Sequence, residues 1–115
     1  MRTGLAAVCL ALAACGGEPP PPAGDAERGR LLLRQFGCGT CHRIPGVVAA
    51  RGEVGPPLDG LARRVYLAGM LPNTPDNLAR WIRAPQAFDP RTAMPDMQVG
   101  EAHARDMVAY LATLR

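Results

Sequence analysis

The sequence predicts an all-α domain, three main helices plus a short one, whose loops wrap something other than protein. Three observations carry this. Apolar residues recur at helical spacing in three segments, near 25–36, 74–84 and 101–114. No stretch alternates apolar with polar residues for long enough to argue for strands. Residues 43–59 and 85–100 are rich in glycine and proline and read as long loops, in a chain whose only aromatic residues are Phe36, Tyr66, Trp81, Phe88 and Tyr110. Long loops around so thin a core are uncommon unless they enclose a ligand, and a domain this small often needs a staple, a metal or a cofactor.

The first element is not part of the domain. Arg2 supplies a positive start, and Leu5 to Ala14 is an unbroken apolar and small-residue run, too short to span a bilayer and typical of an export signal. It ends in "LAAC", residues 12–15, which resembles the lipobox of bacterial lipoproteins. That resemblance implies that residues 1–14 are removed and that Cys15 carries the lipid. The following "GGEPPPPAG", residues 16–24, favours polyproline II and would hold a domain roughly 25 Å from its anchor. Residues 15–24 are then a lipidated tether and residues 25–115 the domain. Two acyl chains, at about 0.8 kcal/mol per buried methylene, make such an attachment stable.

Four cysteines in an exported chain would suggest two disulfides. Cys9 leaves with the signal and Cys15 is taken by lipid, so only Cys38 and Cys41 remain. All 13 positive side chains are arginine and the net charge is +3, with no basic run beside an aromatic platform. A nucleic-acid partner is therefore not expected.

The first helix is predicted from Asp25, its N-cap, to Phe36, with Gly29, Leu32, Leu33 and Phe36 on one face. Next comes "GCGTCH", residues 37–42. A structural zinc site needs four ligands, usually two such pairs, and His103 sits alone on a distant helix. A redox dithiol of the thioredoxin kind needs a βαβ setting that is not there. Cys-x-x-Cys-His in an exported chain leaves covalent haem attachment through Cys38 and Cys41, with His42 beneath the iron. A short helix is expected between Gly60 and Ala68. The second main helix begins at Thr74 as N-cap, with Pro75 in the first helical position, buries Leu78, Trp81 and Ile82, and stops at Pro85. The last runs from Glu101 to about Leu114 with Met107, Tyr110, Leu111 and Leu114 on one side.

With these elements in order, residues 26–115 resemble class I cytochrome c, closest to the cytochrome c domain fused to subunit II of bacterial haem–copper oxidases. Four stretches carry the likeness: "GCGTCHRIPG", "VGPPLDGLARR", "LPNTPDNLARWIRAPQAFDPRTAMP" and "ARDMVAYLATL". The resemblance implies one haem c on Cys38 and Cys41 with His42 as one axial ligand. Pro56 would take the other ring N–H of His42 on its carbonyl, fixing the tautomer. Leu58 would pack on the porphyrin, Arg64 and Thr92 would meet a propionate, and Trp81 would stand near the sixth ligand. That ligand would be Met94 in "TAMP", with Met97 as its rival. Gly29 would let the first helix cross closely over Met107 and Tyr110. The chain departs from the pattern at Arg91, where glycine is common, and it has no lysine with which to build a docking ring. Docking is therefore expected through Ile44, Val47 and Ala93 at the haem edge.

The expected function is a lipid-anchored one-electron carrier in the cell envelope, periplasmic or on the outer face of the cytoplasmic membrane. The resemblance implies a quinol-oxidising complex as donor and a terminal oxidase as acceptor, and a monomer or a subunit of a respiratory complex rather than an enzyme in its own right. The other readings are a haem sensor or small catalytic subunit with a labile Met94, and a fixed electron-transfer subunit.

Overall fold

The structure, a computed structural model, describes residues 23–115. The signal at 1–14, the Cys15 lipid site and most of the tether lie outside the described residues.

Helix α1 (Ala26–Gln35) starts where Asp25, in an extended conformation, accepts the Arg28 N–H on its side chain at 2.8 Å. Glu27 in the first turn and Arg34 in the last complement the helix dipole. The helix ends at Gly37, whose φ of 74° is left-handed and whose N–H caps the Arg34 carbonyl at 3.0 Å. Helix α2 (Pro75–Arg83) has the expected Thr74 cap, accepting from the Asn77 N–H at 3.2 Å, and buries Leu78 and Ile82. Helix α3 (Glu101–Leu111) is one turn shorter than expected. Beyond it the Thr113 and Leu114 N–H groups reach back only three residues, and the Leu114 carbonyl turns to the Ala62 N–H at 2.9 Å. Among the described residues no helix is long and apolar enough to cross a membrane.

The three helices pack with α1 and α2 against α3, around Leu32, Leu33, Leu78, Ile82, Ala104, Met107, Val108 and Leu111. The α1–α3 crossing depends on a missing side chain. A Cβ at Gly29 would collide with the Asp106 carbonyl and stand 2.9 Å from the Met107 nitrogen. The closest approach is thus to Asp106 and Met107 rather than to Tyr110, whose hydroxyl instead donates to the Pro45 carbonyl at 2.6 Å. The crossing is sealed by Asp106, buried to 3% exposure, which accepts the Asp25 N–H at 2.8 Å and a two-pronged bond from Arg28. Gly29→Ala should therefore destabilise the protein by about 2 kcal/mol, overpacking outweighing the roughly 1 kcal/mol of helix propensity that alanine gains. Urea unfolding midpoints check this.

Two expectations are corrected. The short helix between Gly60 and Ala68 is a single 3₁₀ turn, Leu61–Arg63, followed by a hairpin of β1 (Tyr66–Leu67) and β2 (Leu71–Pro72) with Leu67 opposite Leu71. Arg64 is already extended, and the Asn73 amide donates to the Leu61 and Arg64 carbonyls at 2.9 Å each, which satisfies acceptors a longer helix would have used. Ala68 and Gly69 both take positive φ, the pair of left-handed residues that a type I′ hairpin turn requires. Strands of two residues are too short to show alternation.

Ile44 and Val47 are not at a rim: they are 2% and 7% exposed and belong to the core. Their loop closes on itself through Val47 to Ile44, Ala50 to Val47 and Ile44 to Ala50 backbone bonds at 3.2 Å, turning all three side chains inward. Of the expected docking residues only Ala93 is exposed.

Candidate haem-binding site

A cavity of about 670 Å³, mostly apolar, opens among the loops and is lined by residues from every helix and from the hairpin. Leu33 and Phe36 come from the end of α1, Leu78, Trp81 and Ile82 from α2, and Leu111 from α3. Its volume lies within the roughly 300–1,000 Å³ usual for cofactor pockets.

Cys38 and Cys41 border the cavity on a 3₁₀ turn, Cys38–Thr40, started by the left-handed Gly37. The two cysteines are not joined to each other, and burial pushes the Cys38 thiol above its ordinary value. The turn is held from outside. The Gly52 N–H donates to the Gly39 carbonyl at 3.0 Å, and a side chain at Gly39 would press on Ala50.

His42 follows at once, its N–H on the Cys38 carbonyl at 3.0 Å. Its Nδ1 is 2.7 Å from the Pro56 carbonyl oxygen. A carbonyl only accepts, so a proton sits on Nδ1, and in the neutral ring that leaves the lone pair on Nε2, the tautomer of a metal ligand. Gly55 stands against the face of that ring: a Cβ there would lie 2.7 Å from Nδ1 and 2.9 Å from Nε2. The Gly55 N–H binds the Cys41 carbonyl at 2.7 Å, which ties the ring's support to the cysteine turn.

The remaining expected site residues meet at this cavity. Leu58, Arg64, Trp81, Thr92 and Met94 all line it, with the Arg64 guanidinium donating to the Pro57 carbonyl. Trp81 packs against Phe88, ring centroids 6.3 Å apart. Met94 is half-buried, its N–H on the Thr92 hydroxyl oxygen at 3.2 Å and its carbonyl accepting from the Gln86 amide at 2.8 Å. Met97 lines the same cavity but is 39% exposed. Met107 is wholly in the core, and Met70 is 45% exposed on the hairpin turn, away from the cavity. His103 lies outside the cavity, exposed and edge-on to the Phe36 ring.

Sequence reasoning missed two residues here. Gly55 could have been found, since a glycine next to the carbonyl that accepts from a histidine suggests a close approach. Gln86 offered no signal; it is one polar side chain in a proline-rich loop.

The donor set fits a covalently held porphyrin: two thiols on one turn, an imidazole of fixed tautomer beside them, a thioether and an apolar enclosure. Among the described residues no group of three or more His, Cys, Asp or Glu side chains could hold a metal by itself. Fold and site together define a small helical protein closed around one covalently bound haem. The chain belongs to the cytochrome c family, whose profile it matches over residues 26–115, and it is an electron-carrier cytochrome that holds haem c. It is 32% identical over 91 residues to cytochrome c oxidase subunit 2 of Alkalihalophilus pseudofirmus, a match that covers 78% of this chain and 26% of that protein. It is 27% identical over 115 residues to cytochrome c-552 of Bradyrhizobium diazoefficiens, covering 100% of this chain and 99% of that one.

Proposed function

We propose that the protein is a membrane-tethered one-electron carrier of a respiratory chain, taking electrons from a quinol-oxidising complex and passing them towards a terminal oxidase. One observation carries the reading: His42 and Met94 line one cavity, and each is held by hydrogen bonds of its own. When bound, haem c supplies a one-electron iron couple. Cys38 and Cys41 would anchor it by thioethers, and Nε2 of His42 and the sulfur of Met94 would fill its axial positions. A thioether is a neutral, soft donor and favours the reduced state, which raises the potential. Leu58 and Trp81 would pack on the ring, and Arg64 and Thr92 would meet its carboxylates.

The likeness to an oxidase subunit over this stretch supports an oxidase as acceptor. The "LAAC" sequence supports lipid at Cys15, placing the carrier at the periplasmic or outer face of a membrane. Cys15→Ser should then move most of the protein from the membrane fraction to the soluble fraction; retention in the membrane would count against the anchor.

The docking face follows the corrected geometry. Val54 and Ala93, with Met97, border the cavity and are exposed, and no lysine surrounds them. The rate of electron transfer to an oxidase should fall only weakly as ionic strength rises. A steep fall would indicate charge steering instead.

A further inference from the structure

Two thioethers three residues apart face one cavity, and the backbone treats them differently. The Met94 peptide is gripped on both sides, by the Thr92 hydroxyl and the Gln86 amide. Both grips are themselves anchored. Gln86 sits in the 3₁₀ turn Pro85–Ala87 at the end of α2, where Pro85 is fully buried and its carbonyl accepts the Phe88 and Asp89 N–H groups at 3.1 and 3.0 Å. The Thr92 N–H returns to the Asp89 carbonyl at 3.1 Å. Met94 thus hangs from a unit rooted in the core. Met97 has no backbone hydrogen bond among the described residues, and it precedes Gln98, whose φ of 55° is left-handed for a residue with a side chain.

We infer that Gln86 is a positioning residue that selects Met94 over Met97 as the thioether donor. The inference rests on the reading of Met94 as an axial ligand. Without the Gln86 donor the Met94 peptide keeps one grip of two, its sulfur is presented less firmly, and Met97 can compete for the same position. Glutamate at 86 keeps the length of the side chain but, when ionised, cannot donate to a carbonyl.

The test uses the full haem-loaded chain with Gln86→Ala and Gln86→Glu, each with Met97 intact and with Met97→Ala. Two signals are read: the weak far-red band of thioether-to-iron charge transfer in the oxidised protein, and carbon monoxide affinity of the reduced protein. With Met97→Ala, both Gln86 variants should weaken the band and bind carbon monoxide about tenfold more tightly, the weight of one hydrogen bond. With Met97 intact, the band should return at a shifted position and carbon monoxide binding should fall back. Unchanged signals in every variant would overturn the inference, as would defects that are the same with and without Met97. Met94→Ala alone separates the two levels: an unaltered band there would remove the ligand reading itself. Circular dichroism is the check that the variants compared are folded; Gln86 is exposed, so the isosteric glutamate is expected to leave the fold intact.

Discussion

Gly55→Ala should cost about 2–4 kcal/mol and yield little protein with normally ligated haem. An added Cβ has no place to go: it meets the His42 ring at 2.7 Å from Nδ1, and the glycine's own N–H is tied to Cys41. The ring must therefore tilt or shift, which loses the hydrogen bond to Pro56 and turns Nε2 away from the position the tautomer prepares. Overpacking a closed site costs about 1–3 kcal/mol. The lost hydrogen bond adds about 1 kcal/mol. Urea unfolding and the visible spectrum of the purified protein read the two parts separately. Gly100→Ser is the matching control. Nothing lies within 4 Å of a Cβ at Gly100, and the residue caps α3 without a side-chain bond. Serine there should leave the spectrum alone and stabilise the protein by a few tenths of a kcal/mol.

The second large effect is expected at Asp106. Its carboxylate is buried at the α1–α3 crossing, and removing it leaves the Asp25 N–H and the Arg28 guanidinium without their acceptor. Asp106→Ala should lower the unfolding midpoint well beyond the effect of breaking exposed pairs such as Arg30–Glu27 or Arg105–Glu101, which add little. The Arg28 hydrogen bonds, with the Asp25 N–H next in weight, hold the Asp106 carboxyl below the usual carboxylate range. A depressed folded value means that the unfolded chain takes up the proton first as pH falls. The contribution is therefore complete above the ordinary value near 4 and is lost as pH drops through the lower folded value. Asp106→Asn should flatten that acid limb while leaving the pH dependence above about 5 unchanged. Denaturation midpoints between pH 2 and pH 7 for the two proteins give the comparison. An acid limb that persists in Asp106→Asn would shift the origin to other carboxylates.

The helices were legible in the sequence because each is marked locally. Asp25, Thr74 and Pro75 announce the first two starts and Pro85 a stop, and the apolar stripes keep one period in all three. The haem-binding turn was legible for the same reason: Cys38, Cys41 and His42 fall within five positions, and no other metal or redox chemistry suits that set in this setting. What could not be read depends on contacts made at a distance. Ile44 and Val47 belong to a loop without periodicity, and only its closure on itself and under Tyr110 shows that they face inward. Residues 60–68 carry apolar residues that suit a short helix, yet Asn73 takes the Leu61 and Arg64 carbonyls and the left-handed Ala68–Gly69 pair reverses the chain. Asp106 looks like a surface residue on α3 until Gly29 brings α1 close enough to bury it. At the cavity the same division holds. Met94 and Met97 are both visible as thioethers, but the Gln86 amide that distinguishes them is eight residues away in sequence, in a loop with no motif of its own.

On the proposed function, His42 and Met94 would close both axial positions of one haem. The visible spectrum of the reduced, haem-loaded protein before and after carbon monoxide tests it most directly. No change is expected for the protein as it stands, and a clear shift for the variant that carries both Met94→Ala and Met97→Ala. A clear shift in the unaltered protein would contradict it and would mark an open or labile site that binds an external ligand.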